Sequence, residues 1–460
     1  MNTLYHFISP QLYKIHAGKV RDSIRIDKQK RLIVVTDRIS AFNKNLVNAI
    51  PLKGGILNSL TNFWFNKTRH IIDNHLIEQI DENVSMVKEA QPIRVEMIVR
   101  AYLTGSMWRG YQKGKRIFSG VKIDEGLKKN QKFANPILTP TTKDKDDTEI
   151  TEQEIIERGL ADKDVYQLMK QKALELFDFG SKYLLERGII LVDTKYEFGL
   201  IDGKLILIDE IHTPDSSRFW DKNDYEKSPE NAEQIDKEFV RQWMLAHKKD
   251  GKVPEKLPKN IVEETSKRYS EIYKIITGKE YKGGNLPVKT RIYHNLLRKK
   301  LIKPGYVALV MGSKSDLDHA NKIQSYIEKF DIKVEKRIIS AHKNGERLVD
   351  FAEIINNAIE PVSIIAIAGR SNGLGGALAA NVNVPVINCP PFSDKTDIML
   401  NINSSLMMPS NTPAVTVIHP DNAALAAVRS LQIPEFKEQM TREISEMKRK
   451  LIADDEAVRS

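Results

Sequence analysis

Cysteine is almost missing from this 460-residue chain: the single one, Cys389, excludes an intrachain disulfide and fits a reducing cytosol. Following VPVIN, it reads as a small buried hydrophobe. Long apolar runs are missing too. None approaches the roughly 18 residues of a membrane helix, and MNTLYHFISP lacks the basic start and apolar stretch of a signal peptide. These absences lead us to expect a soluble, cytoplasmic protein with no membrane partner. Cations outnumber acids, 71 Lys and Arg against 61 Asp and Glu for a net +10, yet they form no dense tract or basic-aromatic stripe. That counts against a nucleic-acid-binding or scaffold protein and suits one that handles phosphorylated, carboxylated metabolites. No internal repeat is present. What remains is an ordinary composition, 41% hydrophobic and 29% charged, in a chain long enough for two or three domains.

The most informative stretch runs from Leu191 to Trp220. ILVDTKYEFGLI and KLILIDEI read as two strands, with Asp202-Gly203 as the hairpin turn between them. Glu197 and Asp209 lie one on each arm, in segments that otherwise favour burial, so the hairpin brings them face to face. Two such carboxylates are a common way to hold Mg²⁺ on nucleotide phosphates. Asp215, Ser216, Ser217 and Arg218 follow, with a carboxylate, two hydroxyls and a guanidinium fork. Without more, the same residues also fit an ordinary exposed hairpin with a charged face.

Earlier in the chain, QLYKIHAGKVRDSIRID and RLIVVTD read as strand, turn, strand, with Gly18 at the turn between flanking cations Lys19 and Arg21. VEMIVRAY is a strand, Gly105 marks the turn after it, and Arg100 and Ser106 fall at the strand end and in a loop. The Pro- and Thr-rich segment 136–151 reads as a loop. Two helices follow: one places Leu168, Ala173, Leu176, Phe177 and Leu184 near helical spacing and ends at Gly188. The other covers about 260–277, with Ile261, Thr265, Tyr269, Ile272 and Ile276 on a core face. From Gly283-Gly284 onward a cationic stretch reads as a linker, part of it helical.

The second half alternates strands and helices. YVALVMGS, KVEKRIIS, VSIIAIAG and VPVINCP read as buried strands, and DLDHANKIQSYIEKF as a helix with Ile323, Ile327 and Phe330 inward. That pattern predicts a flavodoxin-like, doubly wound parallel sheet, whose ligands bind at the carboxyl ends of strands. The loops there are GSKSD, SAHK and AGRSNGLGG. GSKSD can hold a phosphate at a helix N-terminus, with Ser315 or Asp316 as the N-cap.

D-x-K-x-E-F-G, I-D-E and T-P-D-S-S-R-x-W together resemble the signature of the phosphoribosylaminoimidazole-succinocarboxamide (SAICAR) synthetase family, and H-A-G-K-V-R-D near the N-terminus resembles its ATP-phosphate loop. The three loops of the second half resemble aminoimidazole ribonucleotide (AIR) carboxylase. The resemblance implies an α/β protein of three parts: a SAICAR synthetase-like α+β ligase domain at 1–280, a linker at 281–304 and a carboxylase domain at 305–460. The ligase would join the carboxylated nucleotide (CAIR) to L-aspartate with ATP and Mg²⁺. Gly18, Lys19, Arg21 and Lys195 would bind ATP, Glu197 and Asp209 the metal, and Arg100, Ser106, Asp215 and Arg218 the phosphate and carboxylate of CAIR. In the carboxylase, His342 would move the proton, beside Ser340 and Lys343. Gly312, Ser313, Ser315, Asp316, Arg370, Ser371 and Gly373 would bind AIR, without biotin. Carboxylases of this family are octameric, so the resemblance implies a homo-octamer built on the C-terminal domain.

Three departures shape these expectations. The family's His-Asp-Glu run is replaced by Asp146-Asp147-Thr148, which leaves Asp147 as a contact to substrate or metal and keeps open an inactive ligase half. The related class that rearranges an N-carboxylated nucleotide reads SAHR-T-P and carries a second histidine in the glycine loop. Here Lys343 follows His342 and Arg370-Ser371-Asn372 occupies that loop, which favours direct use of CO₂. Gly376-Ala377 and Asn344-Gly345 differ from the direct class as well.

Overall fold

The computed structural model describes residues 2–42, 44–144, 147–232, 238–369 and 373–459. Asp146, Arg370 and Ser371 therefore lie outside the described residues. The chain forms two compact units, one of Met1–Tyr5 with Lys14–Ile292, the other of His6–Tyr13 with Tyr293–Ser460.

In the N-terminal unit, β1 (Tyr13–Ala17), β2 (Arg21–Arg25) and β3 (Lys30–Val35) precede helix α1 (Lys53–Lys67), β4 (Leu76–Asp81) and β5 (Val84–Lys88). These strands form a sheet of order β1-β2-β3-β5-β4. Helix α1 begins at a left-handed Leu52 that offers no side-chain cap. Asp37 supplies the missing acceptor, taking hydrogen bonds from the backbone N–H groups of Gly54 (2.8 Å) and Leu4 (2.7 Å). The first helical residue, Lys53, is thereby held in the interior, fully buried.

A second sheet carries most of the site. It contains β6 (Gln91–Tyr102), β7 (Lys132–Leu138), β8 (Ile189–Ile201), β9 (Lys204–Ile208) and β10 (Ser217–Asp221) in the order β7-β6-β8-β9, with β10 also pairing with β8. Asp202 and Gly203 both adopt positive φ, 50° and 76°, as the type I′ turn between β8 and β9 requires. Strand β8 is central and two-faced: Tyr196 and Phe198 enter a large core, while Asp193, Lys195 and Glu197 share the other face by the two-residue period. Along the chain, α2 (Gly105–Gln112) follows β6, α3 (Lys163–Leu185) precedes β8 and packs on it, and α4 (Glu238–Ala246), α5 (Lys259–Thr277) and α6 (Val288–Arg298) come after β10. Gly278, at φ 72°, ends α5 by donating to the Lys274 carbonyl.

The C-terminal unit has β11 (Gly305–Met311), α7 (Leu317–Ile327), β12 (Ile332–Ile338), α8 (Glu346–Asn356), β13 (Val362–Ile367), α9 (Gly373–Asn381), β14 (Val386–Asn388), α10 (Lys395–Leu406), β15 (Val415–Thr416), α11 (Pro420–Ser430) and α12 (Pro434–Arg459). All five strands are parallel in the order β12-β11-β13-β14-β15, the flavodoxin-like arrangement. Cys389 is fully buried after β14, and burial raises its thiol pKa to about 12. An eight-residue strap, His6–Tyr13, completes the unit. Ile8 bridges Ala358 in parallel, Ser9 Oγ donates to Glu360 at 2.7 Å, and Gln11 exchanges two hydrogen bonds with the Lys303 backbone.

Several local expectations are corrected. Gly105 opens helix α2 rather than a turn, which puts Ser106 in its first helical turn. The φ of Gly105 is +57°, and the Arg218 guanidinium occupies the space where a Cβ would stand, so glycine is needed for both reasons. Segment 136–151 is not all loop, because β7 and the pair Thr141–Thr142 add to the edge of β6. Leu168 is exposed, and its neighbour Met169 fills the core instead. KVEKRIIS is an edge strand, half exposed, because among the described residues β12 pairs only with β11. Phe330 is buried but lies beyond the end of α7. Asp316 holds the N-cap position of α7, as expected, without a side-chain capping bond to that helix; the short 3-10 turn before it, Lys314–Asp316, is capped by Ser313. The Ser313 hydroxyl accepts from the Ser315 N–H, and Asp316 reaches back to the Ser313 N–H at 3.0 Å.

Candidate functional site

The register of β8 builds the site. Asp193 stands opposite Arg100 on β6 and opposite Arg218 on β10, and its carboxylate meets both guanidinium groups, at 3.2 and 3.3 Å. Two residues on, Lys195 donates to Glu96 at 3.0 Å and approaches Glu197 at 3.5 Å. Glu197 faces Glu96 directly across the strands, a juxtaposition of like charges that is tolerable because Lys195 and Lys143 neutralise it. Asp209 follows the last residue of β9 in a left-handed conformation (φ 64°). It is therefore not paired with Glu197, whose partner on that strand is Ile208. Instead it turns toward Arg21, at 2.8 Å, while Glu210 takes the other end of that guanidinium at 2.5 Å.

Two cavities open on this face. The larger, about 870 Å³, is lined by Gly18, Lys19, Arg21, Lys195, Glu197, Asp209 and Asp147, residues expected for ATP and metal, together with Lys143 and Glu96. The smaller, about 260 Å³, is lined by Arg100, Asp193, Asp215 and Arg218. Lys195, Asp215 and Arg241 border both. Ser106 lines neither among the residues described, although its neighbour Gly105 packs on Arg218.

The charges of the larger cavity support one another. Burial opposes ionisation of Asp209, but Arg21, Lys143 and Lys195 outweigh it and hold the carboxyl below its usual range. Burial likewise opposes the charge on Lys195, and Glu96 and Asp209 restore it. Lys143 is shifted down by burial, and Asp147 is shifted up by burial and Glu96. Arranged this way, the cavity presents fixed cations for a polyanion and two carboxylates, Glu197 and Asp209, suited to a divalent ion shared with phosphate oxygens. Among the described residues no cluster of three or more His, Cys, Asp or Glu side chains could hold a metal by itself.

Sequence reasoning missed Lys53, Glu96, Lys143, Asp193, Glu210, Arg241 and Tyr269. Tyr269 lies on a core-facing stripe and is 1% exposed, but its hydroxyl donates to Asp215 at 2.6 Å. A usable signal existed for Asp193, the first member of D-x-K-x-E on the Lys195 face.

In the C-terminal unit the described residues of the three loops follow the carboxyl ends of β11, β12 and β13. The His342 ring lies against Gly373, where an added Cβ would stand 3.0 Å from it. Gly312 lies beside Ala368 and Asp316. The Ser340 N–H donates to Asn344 at 2.7 Å, closing the turn that presents the exposed His342 and Lys343. Ser313 and Ser315 are exposed, and burial raises the carboxyl pKa of Asp316.

Comparison with known proteins decides the family. The sequence profile described as SAICAR synthetase matches residues 14–258. The chain belongs to the SAICAR synthetase family. A second profile, described as AIR carboxylase, matches residues 306–452, so domains of two purine-biosynthesis families are joined in one chain. The phosphoribosylaminoimidazole-succinocarboxamide synthase of Bacteroides fragilis is 42% identical over 301 residues, covering 63% of this chain and 96% of its own length. Its counterpart from Azobacteroides pseudotrichonymphae is 40% identical over 304 residues, covering 64% and 94%. The solved SAICAR-synthase of Saccharomyces cerevisiae, in complex with SAICAR, is 36% identical and covers 59% of this chain and 97% of its own, with a TM-score of 0.55. Among the described residues, no helix is long and apolar enough to cross a membrane.

Proposed function

We propose that the chain catalyses two consecutive steps of purine biosynthesis. The C-terminal domain (305–460) carboxylates AIR with CO₂. The N-terminal domain (1–280) then joins the product, CAIR, to L-aspartate at the expense of ATP, giving SAICAR, and residues 281–304 link the two. The observation that carries the ligase reading is the ladder of Asp193, Lys195 and Glu197 on one face of β8, bordered by Arg21 and Asp209.

In the ligase, the CAIR carboxylate takes the γ-phosphoryl group of ATP. The aspartate amine then attacks the acyl carbon, a C–N bond forms, phosphate leaves and the nitrogen loses a proton. Such transfers need positioning and charge neutralisation more than covalent help. Lys19, Arg21 and Lys195 supply cations in the ATP cavity, and Arg100 and Arg218 form the anion fork of the nucleotide cavity. Glu197 and Asp209 would hold Mg²⁺ on the phosphates, where it would neutralise their charge.

In the carboxylase, the electron-rich imidazole carbon attacks CO₂ and its proton leaves to His342, a step that needs neither metal nor biotin. Ser340 and Lys343 flank that histidine, and Gly312, Ser313, Ser315 and Asp316 offer a phosphate site. The working protein would be a cytoplasmic octamer assembled through the C-terminal domain. A crossed experiment tests both halves. Glu197→Ala should abolish ATP-dependent SAICAR formation and leave carboxylation intact, and His342→Asn should do the reverse. Ligation at a near-normal rate by Glu197→Ala protein would refute the ligase assignment.

A further inference from the structure

Asp215 stands in the wall shared by the two cavities of the N-terminal unit. Two residues that line neither cavity grip it from behind. Lys53 Nζ donates to Oδ2 at 2.8 Å, and Tyr269 Oη donates to Oδ1 at 2.6 Å. The ammonium also lies 5.6 Å from the centre of the Tyr269 ring. Lys53 comes from α1 and Tyr269 from α5, so two helices converge on one carboxylate. An ammonium that is 0% exposed is retained only where a fixed anion compensates its lost hydration. Because Lys53 holds one oxygen and Tyr269 the other, the plane of the carboxylate is set as well as its position.

We propose that Lys53 and Tyr269 are positioning residues of the ligation reaction: they fix the Asp215 carboxylate in the shared wall so that its cavity side meets an N–H donor of a substrate. The resemblance had assigned Asp215 to the phosphate and carboxylate of the nucleotide, but a carboxylate repels both. An amine is its natural complement. The reaction proposed above brings two amines to this wall, the α-amine of the amino acid and the exocyclic amine of the aminoimidazole, and the inference rests on that reading.

The test uses the full chain carrying Tyr269→Phe, which removes the hydroxyl that donates to Asp215 and keeps the ring. The KM and kcat of ligation are measured with ATP, nucleotide and amino acid varied in turn. Thermal unfolding and the carboxylase activity of the same sample serve as controls. We expect kcat/KM for one amine-bearing substrate to fall on the order of tenfold, the usual effect of losing a hydrogen bond to a charged group. ATP and both controls should stay unchanged. A raised KM for the amino acid assigns the contact to its ammonium, and a raised KM for the nucleotide assigns it to the ring amine. Lys53→Met should lose more, with partial rescue by Lys53→Arg. Folded Tyr269→Phe protein with unaltered constants for every substrate would overturn the inference alone, as would losses spread equally over all three substrates. Absence of ligation by the unaltered protein would overturn the functional reading and this inference with it.

Discussion

Replacing Asp193 with Asn keeps its shape and removes one charge from between two guanidinium groups. The Asp193 side chain is only 7% exposed, Arg100 12% and Arg218 22%. Breaking a buried ion pair by removing one partner costs about 3–5 kcal/mol, because the surviving charge is left uncompensated. Arg218 keeps some solvent, so we expect roughly 2–4 kcal/mol here. Burial and then the repulsion of Arg218 already work against Asp193 to lower the pKa of Arg100, and without Asp193 only the weaker pull of Glu149 opposes them. For a unit of this size each kcal/mol moves the midpoint by about 2–4 °C, so its thermal transition should fall by roughly 5–10 °C. The freed arginines would then take an anion more readily. Millimolar inorganic phosphate should raise the midpoint of Asp193→Asn protein by more than that of the unaltered protein. The assay is calorimetry with and without phosphate. An unchanged midpoint, or an equal phosphate response in both proteins, would refute the reasoning.

Acid should weaken the N-terminal unit through its buried histidines. Burial lowers the pKa of His75 to about 4 and that of His212 to about 3, so the unfolded chain binds their protons first as pH falls below about 6.5. The stability they contribute is therefore present above that pH and is lost on acidification, at up to about 1.4 kcal/mol per pH unit for each. Urea unfolding at pH 5.5 should show roughly 2–3 kcal/mol less stability than at pH 6.5 or above, and His75→Gln should remove about half of the loss; a flat profile would contradict this. For the other half of the chain, carboxylation should proceed from AIR and bicarbonate-supplied CO₂ with no ATP-using partner enzyme. Efficient turnover of the N-carboxylated nucleotide, where added CO₂ gives none, would move it to the rearranging class.

The sheet and helix framework was legible because its patterns are local. D-x-K-x-E puts three charges on one strand face by the two-residue period, and Asp202-Gly203 specifies the turn. Likewise, continuous apolar strands followed by glycine loops specify the parallel sheet. The rest depends on contacts distant in the chain. Lys53 precedes two glycines and reads as one cation among many, until Asp37 buries it and Asp215, 162 residues away, neutralises it. Tyr269 sits on an apolar stripe, and nothing in that stripe distinguishes a hydroxyl that has a partner from a ring that only packs. Gly105 reads as a turn because glycine usually marks one. Here it instead makes room for Arg218, a tertiary demand that no nearby residue reveals.

The strap His6–Tyr13 bears on how the molecule is made. Ser9 leaves the ribosome 351 residues ahead of Glu360, the residue it hydrogen-bonds. At about 5–20 residues per second, roughly 20–70 s pass between them. For all that time the strap lacks the surface it belongs to. Phe7, on the same strap, is fully buried in the finished fold. The C-terminal unit is thus completed by a segment made well before the rest of it, and a translational pause between the two would lengthen that wait.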